Sequence, residues 1–143
     1  MARVKVELPQ TFPFSTDIKI RVTDLNYGGH MGNDALLSMI HEARMQFLQH
    51  YGYSELNLGG ASVIMADVAI EYKGEGFYGD VLTVQMAAYD LHKYGFDLGY
   101  YITNQNGKEI AKAKTGMLCF NYQERKLMGL PQEVRAKFET KAA

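Results

Sequence analysis

The chain has 143 residues, a formal net charge of −1, 47% hydrophobic residues and 22% charged ones, the profile of one globular domain that can bury its own core. Lysines and arginines are scattered, which argues against a nucleic-acid surface, and no apolar run approaches the roughly 20 residues of a membrane span. The single cysteine, Cys119, excludes an internal disulfide and a multi-cysteine metal site. Its apolar surroundings predict a buried, unreactive thiol.

In chain order, Pro9 and Pro13 break the first 14 residues into an arm. Asp17 to Thr23 then alternates apolar Ile18, Ile20 and Val22 with polar Lys19, Arg21 and Thr23, the period of a half-buried strand. A polar loop, residues 24–33, carries Gly28, Gly29 and Gly32. From Asn33 or Asp34 to about Tyr51 the period changes. Leu36, Ile40, Ala43, Phe47 and Tyr51 make one apolar helical stripe, widened by Leu37, Met39 and Leu48. Asn33 is the expected N-cap, Asp34 suits the positive end of the helix, and Gly52 closes it.

Four strand-like runs follow: 61–72, 81–92, 96–103 and 109–122, with a glycine-rich turn at 73–80 and a hairpin signal at Asn106-Gly107. Pro131 opens a short terminal helix over 131–139. A strand, a long helix, then about four antiparallel strands in a meander predict an α+β domain spanning 1–143, with the long helix covering one face of the sheet.

The loop and what flanks it resemble the hotdog-fold acyl-CoA thioesterases of the 4-hydroxybenzoyl-CoA thioesterase type. Those proteins read D-x-D-x-x-G-H-x-x-N, then a helix with an E-A-R-like triplet. Here the match is Asp24-Leu-Asn26-Tyr-Gly-Gly29-His30-Met-Gly-Asn33, then Glu42-Ala-Arg44, with Gly79-Asp80 and Leu130-Pro131 downstream. The resemblance covers roughly residues 17–131. It implies a hotdog fold, a long central helix wrapped by an antiparallel sheet of about five strands, and hydrolysis of an acyl-CoA or related acyl thioester.

One position departs. The second acid of the D-x-D motif, the usual nucleophile or base, is Asn26 here, and an amide has no titratable lone pair for that work. A second branch of the resemblance implies another arrangement: a loop Asn holding the thioester or water, helix-start amides receiving the oxyanion, and a helix carboxylate about eight residues further. Its counterparts are Asn26, the backbone N–H groups of Gly32, Asn33 and Asp34, and Glu42. Asp24 is the substitute carboxylate, and His30 a substrate-binding or acid–base group.

Each has a structural alternative. Asn26 and Asp24 can serve the turn, His30 can cap the helix, and Glu42 can lie on a solvated face paired with Arg44 or a lysine. Lys73, Lys93, Lys112, Lys114 and Arg125 are available for coenzyme A phosphates. His41, His50 and His92 show no metal-ligand spacing, so neither metal nor cofactor is expected. The N-terminus lacks the apolar core of a secretion signal, which predicts a cytoplasmic protein. A lone hotdog sheet leaves an edge and a helix face unused, so a homodimer or homotetramer is expected. Rival readings are a non-hydrolytic acyl-thioester binder and an enoyl-CoA hydratase, whose D-x-N-P-x-H resembles Asp24-Leu-Asn26 and His30, although here the spacing is one residue too long and the proline is absent.

Overall fold

The alternation in the first strand holds, shifted toward the N-terminus. In the computed structural model, which describes residues 3–139, β1 runs Phe14–Lys19 with Phe14, Thr16 and Ile18 half-buried between exposed neighbours. It stops there because the Asp24 carboxylate accepts the Arg21 N–H at 2.7 Å and folds Val22–Asp24 into a 3-10 turn. After the loop come α1 (Asn33–His50), β2 (Ser62–Tyr72), β3 (Val81–His92), β4 (Gly95–Thr103), β5 (Glu109–Asn121), a two-residue β6 (Lys126–Leu127) and α2 (Gln132–Glu139).

The sheet is antiparallel in the order β1-β3-β4-β5-β2, with β6 paired to β5. Only β3, β4 and β5 form a meander. β2 pairs with β5, Val63 opposite Cys119 and Tyr72 opposite Ala111, and not with β3 as a simple meander requires. The cause is the linker 73–80, too long for a tight hairpin, which carries the chain from β2 at one edge back toward β1 at the other. β1 and β2 are therefore the two sheet edges.

Leu36, Ile40, Ala43 and Phe47 of the predicted stripe are fully buried, as are Leu82, Leu98, Tyr100 and Ile102 of the facing strands. Phe138 of α2 closes the far end, its ring 5.6 Å from Phe47 and 5.0 Å from Phe96. Leu37, expected to widen the stripe, is 40% exposed instead. It lies on the uncovered side of α1 with Ser38, His41 and Met45, because the sheet wraps only part of the helix. Gly52, at φ +85°, ends α1 as expected. Cys119 is buried, and burial pushes its thiol up to about 11.

The arm before β1 lies across the outer sheet face. Phe12 stacks on Tyr101, and the Tyr89 hydroxyl donates to the Glu7 carbonyl at 3.1 Å.

Candidate active site

The glycine loop is closed by its own backbone. Asn26 N–H donates to the His30 carbonyl at 2.8 Å, and Gly29 N–H to the Asn26 carbonyl at 3.1 Å, with Gly29 at φ +83°. The Asn26 side chain bends into this turn, its Oδ1 accepting the Gly28 N–H at 2.8 Å. Its amide NH2 then remains the group available to a ligand, since no acceptor for it lies among the described residues. Met31 N–H reaches the Gly76 carbonyl at 2.7 Å and ties the loop to the 73–80 linker.

The N-cap of α1 is Gly32, one residue before the expected Asn33, at φ −74° and ψ 155°. Gly32 N–H donates to the Asp24 carbonyl at 3.0 Å. That corrects the expectation for this amide: a donor already bound to a backbone carbonyl is not free to hold an oxyanion. The N–H groups of Asn33 and Asp34 have no acceptor among the described residues. They are first-turn donors at the positive end of the helix. Tyr72, at the end of edge strand β2, donates its hydroxyl to the Asn33 carbonyl at 3.3 Å. Burial, then the negative charge of Asp34, hold that hydroxyl above its usual range.

Two glycines show how closely these groups meet. A methyl group built on Gly32 would stand 2.6 Å from Asp34 Oδ1 and 3.7 Å from Asn26 Cβ; one on Gly28 would stand 3.2 Å from Asn26 Oδ1 and 3.5 Å from His30 Nε2. Asn26, His30, Gly32, Asn33 and Asp34 thus share one surface at the helix start. No hydrogen bond joins His30 to Asp24 among the described residues.

Asp24 and Glu42 lie elsewhere, on a cleft of about 510 Å³ between β1 and α1. Asp24 is buried, its carboxylate held by the Arg21 N–H and 3.7 Å from the Arg21 guanidinium. Glu42 is exposed and accepts the Gln46 amide at 2.8 Å, while Gln46 in turn accepts the Thr16 hydroxyl. Asp34 and Glu42 are eight residues apart, a rise of about 12 Å along a helix. One protomer therefore does not bring Glu42 to the helix-start amides.

Arg44 does not pair with Glu42. It is 5% exposed, and its Nε donates to Glu55 Oε2 at 3.0 Å. Of the cations expected to meet phosphates, Lys73 pairs with Glu71 and Lys114 with Asp67, both at 2.8 Å. The cations on the cleft are instead Lys19 and Arg21. Gln46 and Tyr72 are the neighbours that the sequence did not single out. Tyr72 is 39 residues from Asn33, and only the sheet order brings them together.

The chain is similar to several known proteins. A long-chain acyl-CoA thioesterase, FadM, of Escherichia coli (strain K12) is 25% identical over 126 residues, covering 87% of this chain and 96% of that protein. A 1,4-dihydroxy-2-naphthoyl-CoA hydrolase of Acaryochloris marina (strain MBIC 11017) is 29% identical over 122 residues, covering 80% and 88%. Among solved structures, Slr0204, a 1,4-dihydroxy-2-naphthoyl-CoA thioesterase from Synechocystis, superposes with a TM-score of 0.80 at 23% identity, covering 87% of this chain and 94% of that one. The model of the thioesterase-like superfamily matches residues 20–138, from Ile20, just after β1, through the buried Phe138 of α2. The chain belongs to the thioesterase-like superfamily.

Proposed function

We propose that this protein hydrolyses an acyl-CoA thioester to the free acid and coenzyme A, at the start of α1. The observation that carries the reading is the pair of acceptor-free amides at Asn33 and Asp34, beside a loop drawn tight enough to leave them open. A thioester oxygen resting on these donors gains negative charge as the carbonyl carbon becomes tetrahedral, so the donors stabilise the transition state more than the substrate. The Asn26 amide NH2 holds the same carbonyl or the attacking water, and His30 borders that surface beside Gly28.

Both curated relatives act on coenzyme A thioesters, one with a long alkyl chain and one with an aryl group. They support coenzyme A as the carrier and leave both acyl classes in the test. The free edge of β2, with Met65 41% and Val68 39% exposed, supports a homodimer formed by pairing that edge with its copy. The helix starts, beside Tyr72, then lie near the subunit boundary. The buried, unreactive thiol suits a reducing compartment, and we place the protein in the cytoplasm.

The test is thiol release from a panel of long-chain alkyl-CoA and aroyl-CoA substrates. Saturable turnover of at least one is expected; tight binding without turnover would favour a non-hydrolytic binder, the reading that Asn26 in the acid position invites. Because Glu42 lies about 12 Å along the helix from the amides, Glu42→Gln is expected to lower kcat less than about tenfold. Loss of a general base costs roughly 10²–10⁴. A loss of that size in Glu42→Gln would mean that a neighbouring protomer delivers this carboxylate.

A further inference from the structure

We infer that Phe77 is a specificity-determining residue, its ring receiving an aromatic acyl group of the thioester. The inference rests on the thioesterase reading above and names the acyl class within it.

Three short segments meet at the glycine loop. Residues 27–29 are a three-residue hairpin turn whose last residue, Gly29, is left-handed at φ +83°. Asn26 and Gly32 N–H groups donate to the His30 and Asp24 carbonyls, and Leu25 pairs with Met31 between them. The 73–80 linker adds the third segment. His30 pairs antiparallel with Phe77, next to the bond from Met31 N–H to the Gly76 carbonyl. Opposed residues in such a ladder project to the same face, and those lying between the bonded positions bring their side chains closest. Asn26, His30 and Phe77 therefore form a row. The first two meet at Gly28, where a methyl group would stand 3.2 Å from Asn26 Oδ1 and 3.5 Å from His30 Nε2.

Phe77 is fixed in that row without being covered. Gly76 lets the linker press on the core, since a methyl group there would stand 2.6 Å from Ile20 Cδ1. Phe77 N–H donates to the Asp80 carboxylate at 3.0 Å, and Asp80 N–H returns to the Phe77 carbonyl at 3.0 Å. Gln105 holds the other Asp80 oxygen at 2.9 Å. Phe77 nevertheless stays 50% exposed, and no ring contact joins it to another aromatic among the described residues. A pinned, bare phenyl ring gains from contact with an apolar group.

Its position selects the occupant. The thioester carbonyl lies beside Asn26 and His30, so a group touching Phe77 is close to that carbonyl along the substrate. The adenine of coenzyme A is separated from the sulfur by the whole pantetheine arm. The near part of that arm carries an amide, whose hydrogen bonds a phenyl ring does not satisfy. The acyl group remains. An aryl ring packs on Phe77 offset or edge to face and gains more than burial alone, whereas an alkyl chain gains burial only.

The experiment measures kcat/KM for benzoyl-CoA and dodecanoyl-CoA in wild type, Phe77→Leu and Tyr78→Leu, with the Tm and sedimentation mass of each. Tyr78 is the next residue, also exposed, and lies outside the bridge. Wild type is expected to favour benzoyl-CoA. Phe77→Leu keeps an apolar side chain but no ring, and is expected to lower the benzoyl-to-dodecanoyl ratio about 3–10-fold at unchanged Tm and mass. Tyr78→Leu leaves the ratio unchanged. The inference is overturned by a wild-type preference for dodecanoyl-CoA, by an unmoved ratio in Phe77→Leu, or by an equal loss on both substrates, which would put the ring against the coenzyme A portion. A changed mass in Phe77→Leu would assign the ring to a second copy of the chain and overturn it equally. If wild type hydrolyses neither thioester, the thioesterase reading fails by itself. The dissociation constants of the two intact thioesters, measured by calorimetry in the same variants, then decide the Phe77 contact by the same ratio.

Discussion

Replacing Arg44 by methionine is expected to destabilise the protein by about 3 kcal/mol, the low end for breaking a buried ion pair from one side. For a domain of this size that lowers Tm by roughly 6–12 °C. The guanidinium spans the core. Its Nε donates to Glu55 Oε2 at 3.0 Å, and it reaches the Tyr100 hydroxyl, which in turn bonds Thr115 Oγ1 at 2.8 Å. Arg44 thereby pins α1 to the segment after the helix and to β4 and β5. Methionine fills much of the volume but leaves Glu55 and Tyr100 short of a donor. His41 still contacts Glu55 at 3.0 Å, and Glu55 keeps some solvent, which places the loss at the low end. Glu55→Gln added to Arg44→Met is expected to recover part of it, because the uncompensated charge is gone. A fall in Tm below about 2 °C in thermal denaturation of Arg44→Met would contradict this role.

The same pair gives stability a pH dependence. Burial pushes the Glu55 carboxyl up, but hydrogen bonds from His41 and Arg44 and their charges outweigh it, so the folded value lies below the ordinary carboxylate range. A lowered folded pKa contributes stability above the unfolded value and loses it as pH falls through the folded one. Wild type should therefore lose Tm on acidification more steeply than Arg44→Met over that range.

The elements of this fold were legible because each has a local period. Alternation marked β3 to the residue, Val81–His92, and the helical stripe marked α1. Sheet order was not legible, since nothing in β2 says that its partner is β5, with Tyr72 opposite Ala111 and Ser62 opposite Phe120, rather than β3. The helix start shows the same limit on a smaller scale. Asn33 is a good N-cap by residue type, yet Gly32 takes the position because its N–H is drawn to the Asp24 carbonyl. A spacing of eight residues between Asp34 and Glu42 reads as a possible site on paper. It becomes a separation once translated into helical rise. Asp34 was read for its backbone and its charge, and only the fold shows its side chain turned back toward Gly32.

The most direct test of the helix-start site is a comparison of Asn33→Pro with Asn33→Ala on the best acyl-CoA substrate. Proline removes one backbone N–H and is well tolerated at the first helical position. Gly32, at φ −74° and ψ 155°, already has the extended conformation that a residue before proline requires. The Asn33 N–H has no acceptor among the described residues, so no protein hydrogen bond is lost, and the Asn33 carbonyl still receives Tyr72. Asn33→Ala removes the same side chain but keeps the amide. Loss of one oxyanion donor costs about 10²–10³ in kcat. The predicted result is Asn33→Ala near wild type and Asn33→Pro slower by that factor at a similar Tm; equal kcat in the two variants would contradict the site.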